Sequence, residues 1–352
     1  MNSCILFHAI NGIGLGHISR LRAIALAIRE RQTDLPLLFA VEGDGHGLLE
    51  SVALPYVTFP SASRFESATE PWLKTIRGPL LGSMAAAIVD ATKPRLIIFD
   101  CLPNPAFLAA AGRKNIPVAF CVRKTKDMDE YFERLRPVLE QARIIIFPHD
   151  SDELEVPSEF RAKSKFVGTI VRQTETVAGH REQREIIISG GGGGYPGTVV
   201  FYNFALEAVA KCNQKNPKLL ASLVTGPLFR EWSQLKPVSG VQIIPFDPEI
   251  DERFAAASLV ICQGGYNTVA ELTALGVPVI CVPATRRFDD QYLRARKTAE
   301  THEQFFVWEN TDSDALATFI LDVLQRPRVD DVRKGDSRGA EFAAEILLGA
   351  IS

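Results

Sequence analysis

Three glycine-bearing stretches, each directly after a short apolar run, carry the residues best suited to chemistry in this 352-residue chain. The first, NGIGLGHISR at 11–20, sets Gly12, Gly14 and Gly16 ahead of His17 and Arg20. Glycines at such a place let the backbone turn tightly and expose N–H groups at a helix start, which suits an anion or a closely packed ligand. A neutral imidazole at His17 could take a proton from an incoming hydroxyl near neutral pH. The same residue could equally do no more than cap the helix. The third glycine of a dinucleotide fingerprint falls on His17 or Ser19, and Glu42 and Asp44 come too late to be its acid, so an NAD enzyme is disfavoured.

The second stretch, SGGGGGYPGT at 189–198, has five consecutive glycines after an apolar run. Their cost in chain entropy implies that something approaches the backbone closely. A diphosphate at the N-terminus of a helix starting near Thr198 would account for it, and a flexible turn is the plain alternative. A Walker A loop is excluded, because Thr198 stands where the lysine belongs. The third stretch is CQGGYNTVAELTALGVPVICVP at 262–283. Here Asn267 and Thr268 open a helix, Thr268 is placed as in a capping box with Glu271, and the helix start offers free N–H groups to phosphate. Glu271, one turn in, could accept two hydrogen bonds from a ribose diol or serve only as the capping-box partner. Asp290 and Gln291, in RRFDDQYLRA at 286–295, open a further helix where their side chains could read sugar hydroxyls or simply form a solvated face.

The elements that must position these residues alternate in type. Apolar runs at 4–10, 35–41, 56–59, 95–100, 117–122 and 143–148 read as strands, separated by stretches of helical period such as 19–31, 80–91, 106–113 and 131–141. Strands this apolar belong to a parallel sheet covered on both faces. The rhythm lapses between 151 and 183, in a charged stretch read as the interdomain connection, and resumes at 185–198, 221–226, 241–246, 258–265 and 277–284. The expected organisation is an α/β chain with one domain at 1–164, a second at 165–335, and a last helix within 336–352 packing back on the first.

Composition narrows the function further. Lys plus Arg is 39 against 42 Asp plus Glu, a net charge of −3, so nothing favours a nucleic-acid backbone as partner. The six cysteines are scattered without a C-x-x-C pair, which disfavours a disulfide scaffold or zinc ribbon and fits small core residues. No stretch approaches the ~18 apolar residues of a membrane span, and the N-terminus lacks a basic n-region. A soluble, cytoplasmic, two-domain protein is expected. In PWLKTIRGPLL at 71–81, Trp72, Leu73, Ile76 and Leu80 interleave with Lys74 and Arg77. That is either an acceptor lid or membrane-surface patch, or an amphipathic core helix interrupted by Pro79.

The combination resembles the GT-B glycosyltransferases of the family-28 type, whose best-known member adds N-acetylglucosamine to the lipid intermediate of peptidoglycan synthesis. The resemblance rests on GIGLGHISR (12–20), VGTIVR (167–172), SGGGGG (189–194), the 262–283 stretch and DDQY (289–292). It implies two Rossmann-like domains with parallel sheets facing across a cleft, acceptor on the first and nucleotide sugar on the second. It further implies that Gly191, Gly192, Gly193, Gly265, Asn267 and Thr268 hold the donor diphosphate, that Glu271 binds the ribose, and that Asp290 and Gln291 contact the donor sugar. Phe246 would neighbour the base. His17 would lie at the acceptor hydroxyl as the catalytic base, with Gly14, Gly16, Arg20 and Asp100 on the acceptor side.

The activity so implied is an inverting, metal-independent transfer from a nucleotide diphosphate sugar, most simply a UDP-sugar, to a hydroxyl acceptor. That acceptor would be a small molecule, a glycan or a lipid-linked molecule. No metal ligand set and no cofactor beyond the nucleotide sugar are expected, and peripheral membrane contact is compatible with the sequence. Arg20 differs from the peptidoglycan enzyme and is similar to the nucleotide-sugar hydrolases of nonulosonic acid synthesis, as an alternative in which His17 activates water. A nucleotide-sugar-binding subunit that needs a partner is a second alternative. A 2-epimerase fits less well, because no set of acids is placed for its elimination chemistry.

Overall fold

A computed structural model describes residues 3–60, 71–171, 185–287, 289–327 and 338–351. The polar run read as the connection (173–183), Arg172 and the first residues of 336–352 lie outside the described residues, as do the side chains of Leu73 and Lys74. The chain divides into two units. The first comprises Met1–Gly12, His17–Arg172 and Asp336–Ser352, and the second comprises Ile13–Gly16 and Gln173–Gly335.

In the first unit β1 (Ile5–Asn11), β2 (Leu37–Gly43), β3 (Tyr56–Phe59), β4 (Leu96–Asp100), β5 (Val118–Cys121), β6 (Ala142–Phe147) and β7 (Ser164–Phe166) form one sheet in the order β3-β2-β1-β4-β5-β6-β7. Each of these pairings is parallel. Such strands must be covered on both faces, and β4 and β5 are buried at each position. Helix Gly16–Arg31 turns Ile18, Leu21, Ile24 and Ile28 inward. On the opposite face Leu81, Ala85 and Val89 join Phe99, Phe107 and Phe120 in one apolar cluster.

The second unit repeats the scheme with β8 (Glu185–Ser189), β9 (Leu220–Val224), β10 (Val241–Ile244), β11 (Leu259–Cys262), β12 (Val279–Cys281) and β13 (Phe305–Val307). These follow the order β10-β9-β8-β11-β12-β13, again all parallel. Apolar clusters fill both faces of this sheet as well. In each unit the strand order reverses beside the first strand, between β1 and β4 and between β8 and β11. Open α/β sheets bind ligands outside the carboxyl ends of the strands at such a reversal.

Three expectations need correction. Residues 165–171 belong to the first unit, because β7 adds to its sheet beside β6 (Ile145 opposite Ser164) and Val167, Ile170 and Val171 are buried after it. The boundary therefore falls after Arg172 and not at 164/165. The helix around Pro79 is uninterrupted and runs Pro71–Thr92. Its Trp72, Ile76 and Leu80 are exposed, so this row is not a core face.

The last helix, Gly339–Ile351, joins the first unit. Arg95 donates to the Ile351 carbonyl, and Arg31 lies 3.6 Å from Glu341. Gly339 starts this helix where a Cβ would come within 2.4 Å of the Thr169 carbonyl oxygen. Gly339→Ala is expected to destabilise the protein by about 1 to 3 kcal/mol through overpacking. Gly349→Ala, in the same helix with nothing within 4 Å, should be neutral or gain up to about 1 kcal/mol from helix propensity. Urea unfolding midpoints of the two variants test the contrast.

Candidate functional site

The end of β4 carries a carboxylate into a fully buried position. Asp100 is 0% exposed, and a lone charge there would be prohibitive. Arg20, 2% exposed on the first helix, answers it with a two-point fork, Nε to Oδ2 and Nη2 to Oδ1, each 2.7 Å. His17, three residues earlier on the same helix face, donates from Nδ1 to Oδ1 at 2.6 Å. The spacing of His17 and Arg20 thus lets one carboxylate organise both. The next residue, Cys101, sits at φ 58°, a strained value for a non-glycine. Its carbonyl accepts the Tyr131 hydroxyl and its N–H donates to the Cys121 carbonyl. Those bonds hold the turn.

The electrostatics follow. For Asp100 burial opposes ionisation, but Arg20 and His17 outweigh it and hold the carboxyl far below the usual carboxylate range. For His17 burial opposes the charged ring, yet hydrogen bonding to Asp100 and Cys101 and their charges push its pKa up to about 9. About a third of the His17 side chain remains exposed. The Asp100 bond fixes a proton on Nδ1. His17, Asp100 and Cys101 bring three ligand-type atoms within 4.8 Å of one another. Arg20 spans both Asp100 oxygens, however, and its fixed charge opposes a metal cation there.

In the second unit, the glycine run follows β8 and serves packing as much as any ligand. A Cβ on Gly190 would meet the Tyr202 hydroxyl at 2.7 Å, and one on Gly193 (φ +76°) the Thr225 carbonyl oxygen at 2.1 Å. The Leu228 N–H donates to the Gly192 carbonyl. Helix Thr198–Lys215 does not offer its start to a diphosphate. The Glu231 carboxylate already accepts from Gly197 N–H at 3.1 Å and Val199 N–H at 3.2 Å.

The other helix start differs. Helix Tyr266–Leu275 begins two residues earlier than Thr268, with Gly265 as N-cap and no side-chain cap. The capping-box arrangement of Thr268 with Glu271 is therefore absent, since Thr268 already lies inside the first turn. A glycine N-cap leaves first-turn N–H groups for an outside acceptor. Gly191 (φ +72°) adjoins this turn, because a Cβ there would lie 3.5 Å from Thr268 Oγ1. Gly191, Gly265, Asn267 and Thr268 are thus gathered at the strand reversal between β8 and β11.

Glu271 is buried one turn further along the same helix. Asp290 caps helix Gln291–Thr301 by accepting from Leu293 N–H. Gln291 is buried, and its Oε1 accepts from Ala284 N–H. Phe246 is half-buried just beyond β10. Three contributors escaped the sequence reading: Glu231, which no local pattern ties to residue 198, the strained Cys101, and Arg286, which bonds Gln263.

The two Rossmann-like units with parallel sheets define the GT-B fold. A solved structure described as the glycotransferase of kitacinnamycin superposes over all of both chains with TM-score 0.65 at 14% identity. Residues 192–346 match the glycosyltransferase family 28 C-terminal domain, and the fold of the whole chain is that of the GT-B glycosyltransferases. Two relatives carry the name UDP-N-acetylglucosamine–N-acetylmuramyl-(pentapeptide) pyrophosphoryl-undecaprenol N-acetylglucosamine transferase. That of Desulforudis audaxviator (strain MP104C) is 25% identical over 76% of this chain and 75% of its own length. That of Histophilus somni (strain 129Pt) is 28% identical over 32% of each chain, so the match spans about a third of that relative's length. No helix among the described residues is long and apolar enough to cross a membrane.

A raised His17 pKa means that the folded state holds this proton more tightly than the unfolded chain does. The stability it contributes is complete below about pH 6.5 and is lost as pH rises through about 9. The unfolding free-energy difference between wild type and His17→Ala should shrink by about 1 to 3 kcal/mol between pH 6.5 and 9.5. Denaturant titrations at a series of pH values would show it, and a pH-independent difference would contradict the ion-paired imidazolium.

Proposed function

We propose that the protein transfers a sugar from a UDP-sugar to an acceptor hydroxyl by a single inverting displacement without a metal ion. The observation that carries this reading is the meeting of Gly191 with the first turn of helix Tyr266–Leu275, whose glycine N-cap leaves its amides to an anion. Gly191, Gly192 and Gly193 with Gly265, Asn267 and Thr268 are assigned to the diphosphate, Glu271 to the ribose hydroxyls, Asp290 and Gln291 to the sugar, and Phe246 to the base. On the acceptor side His17 Nε2 takes the hydroxyl proton while Asp100 holds the ring. The acceptor oxygen then bonds to the anomeric carbon as the bond from that carbon to the diphosphate oxygen breaks. Amide dipoles at the helix start stabilise the charge on the departing UDP, the term that usually dominates such catalysis. Gly14 and Gly16 give the acceptor access beside His17, and Arg20 secures Asp100.

The names of the relatives suggest a lipid-linked acceptor, and the exposed row of Trp72, Ile76 and Leu80 suits an acceptor with an apolar part or a membrane surface. The proposed site of action is the cytoplasm. Purified protein should bind one UDP-sugar and release UDP at an appreciable rate only with an acceptor, unaffected by chelator. Rapid release of UDP and free sugar without acceptor would overturn transfer.

A base with pKa near 9 is deprotonated in only ~1% of empty molecules at pH 7. Accordingly kcat/KM should rise about tenfold per pH unit until it levels near pH 9. His17→Ala should lower kcat by about 10²- to 10⁴-fold with little change in donor binding. A flat pH profile would remove His17 from the role of base.

A further inference from the structure

Arg286 follows β12, in the segment that leads to Asp290 and Gln291. Its Nη2 donates to Gln263 Oε1 at 2.7 Å, and its guanidinium carbon lies 3.5 Å from the centroid of the Tyr195 ring. Tyr195 closes the glycine run after β8, and Gln263 opens the loop after β11 that supplies Gly265. One side chain therefore ties together the loops at the ends of β8, β11 and β12, where the donor's diphosphate and sugar are proposed to sit.

The partners chosen for this cation are unusual. Gln263 offers a neutral amide oxygen and Tyr195 a neutral ring face. The neighbouring carboxylate, Asp289, attracts Arg286 from a distance but is itself held by a two-point fork from Arg294. The Arg286 side chain is half-buried, and burial works to lower its pKa. A planar guanidinium stacked on an aromatic ring keeps a stiff orientation. Nη2 is committed to Gln263 and Tyr195 also engages the side chain, yet the five N–H groups of a guanidinium exceed what these two neutral partners take up. A half-buried cation whose partners are a neutral amide and a neutral ring is best completed by an anion.

We infer that Arg286 is a donor-binding residue whose guanidinium contacts the diphosphate of the nucleotide sugar and counters the charge that grows on it as the sugar leaves. The inference rests on the donor site proposed above. It adds a fixed cation, prepositioned by Tyr195 and Gln263, to a site otherwise built from backbone amides, and it gives the metal-independent reading a second source of positive charge.

The test measures binding of UDP and of uridine to wild type, Arg286→Gln, Arg286→Lys and Gly191→Val by calorimetry, with thermal melting of each. UDP affinity should fall about 10- to 100-fold in Arg286→Gln while uridine affinity and melting temperature hold. Arg286→Lys should recover part of the loss, because it restores charge without the stacked fork. Equal weakening of UDP and uridine would mean that Arg286 only ties the loops, and would overturn the inference. So would unchanged UDP binding in Arg286→Gln when Gly191→Val abolishes it, with the donor site left standing. Failure of wild type to bind UDP would overturn the donor site and the inference together.

Discussion

Asp100 is the point on which the acceptor side turns. Strand β4 is too apolar to end in water, so its final carboxylate must be neutralised from within the fold. Arg20 does this with a planar fork, and the same helix then brings His17 to one of the oxygens already held. The arrangement orients the His17 imidazole at 2.6 Å from Asp100. It also fixes a chemical cost. A carboxylate strong enough to hold the ring also holds the ring's proton, and the effective basicity of His17 is gained at the expense of the fraction that is free to act near neutral pH. Removing one member of such a buried pair typically costs about 3 to 5 kcal/mol, because the other is stranded.

The second unit's loops rely on backbone where the His17–Arg20–Asp100 cluster relies on charge. Within the glycine run the residues divide their work: Gly190 and Gly193 are small because Tyr202 and Thr225 press against them, whereas Gly191 faces the open first turn of helix Tyr266–Leu275. Of the two helices that start beside these loops, one has its first N–H groups taken by Glu231 and the other has a glycine N-cap with no side-chain cap. In the proposed donor site an anion would thus meet one helix start and not two.

Much of this was legible from the residues alone. Strands buried on both faces leave continuous apolar runs, so the two parallel sheets and the place of His17 after β1 followed from pattern. The sequence did not show what depends on distant pairing. Asp100 and Arg20 could be noticed separately, but 80 residues part them and only the fold makes them a fork. The short β13, Phe305–Val307, has three residues and no period to detect. The true N-cap at Gly265 was hidden because Thr268 and Glu271 satisfy a familiar local spacing, and the chain entered the helix earlier on glycine. Glu231 reaches residue 197 across 34 positions, beyond any local rule.

The assignment of residues 336–352 to the first unit has a consequence for how the chain is made. The second unit is, for the most part, an insertion bounded by two segments of the first. A ribosome therefore delivers the seven strands of the first sheet early and the helix that joins that unit, Gly339–Ile351, only after the second unit. During synthesis the nascent first unit waits with Ala343, Ala344 and Leu347 still absent from its surface, while the whole of the second unit emerges and can fold on its own. Of the two units, the one begun first is thus completed after the other, and a chain that stops short of Gly339 arrives with the unit holding His17 incomplete and the unit holding the glycine run whole.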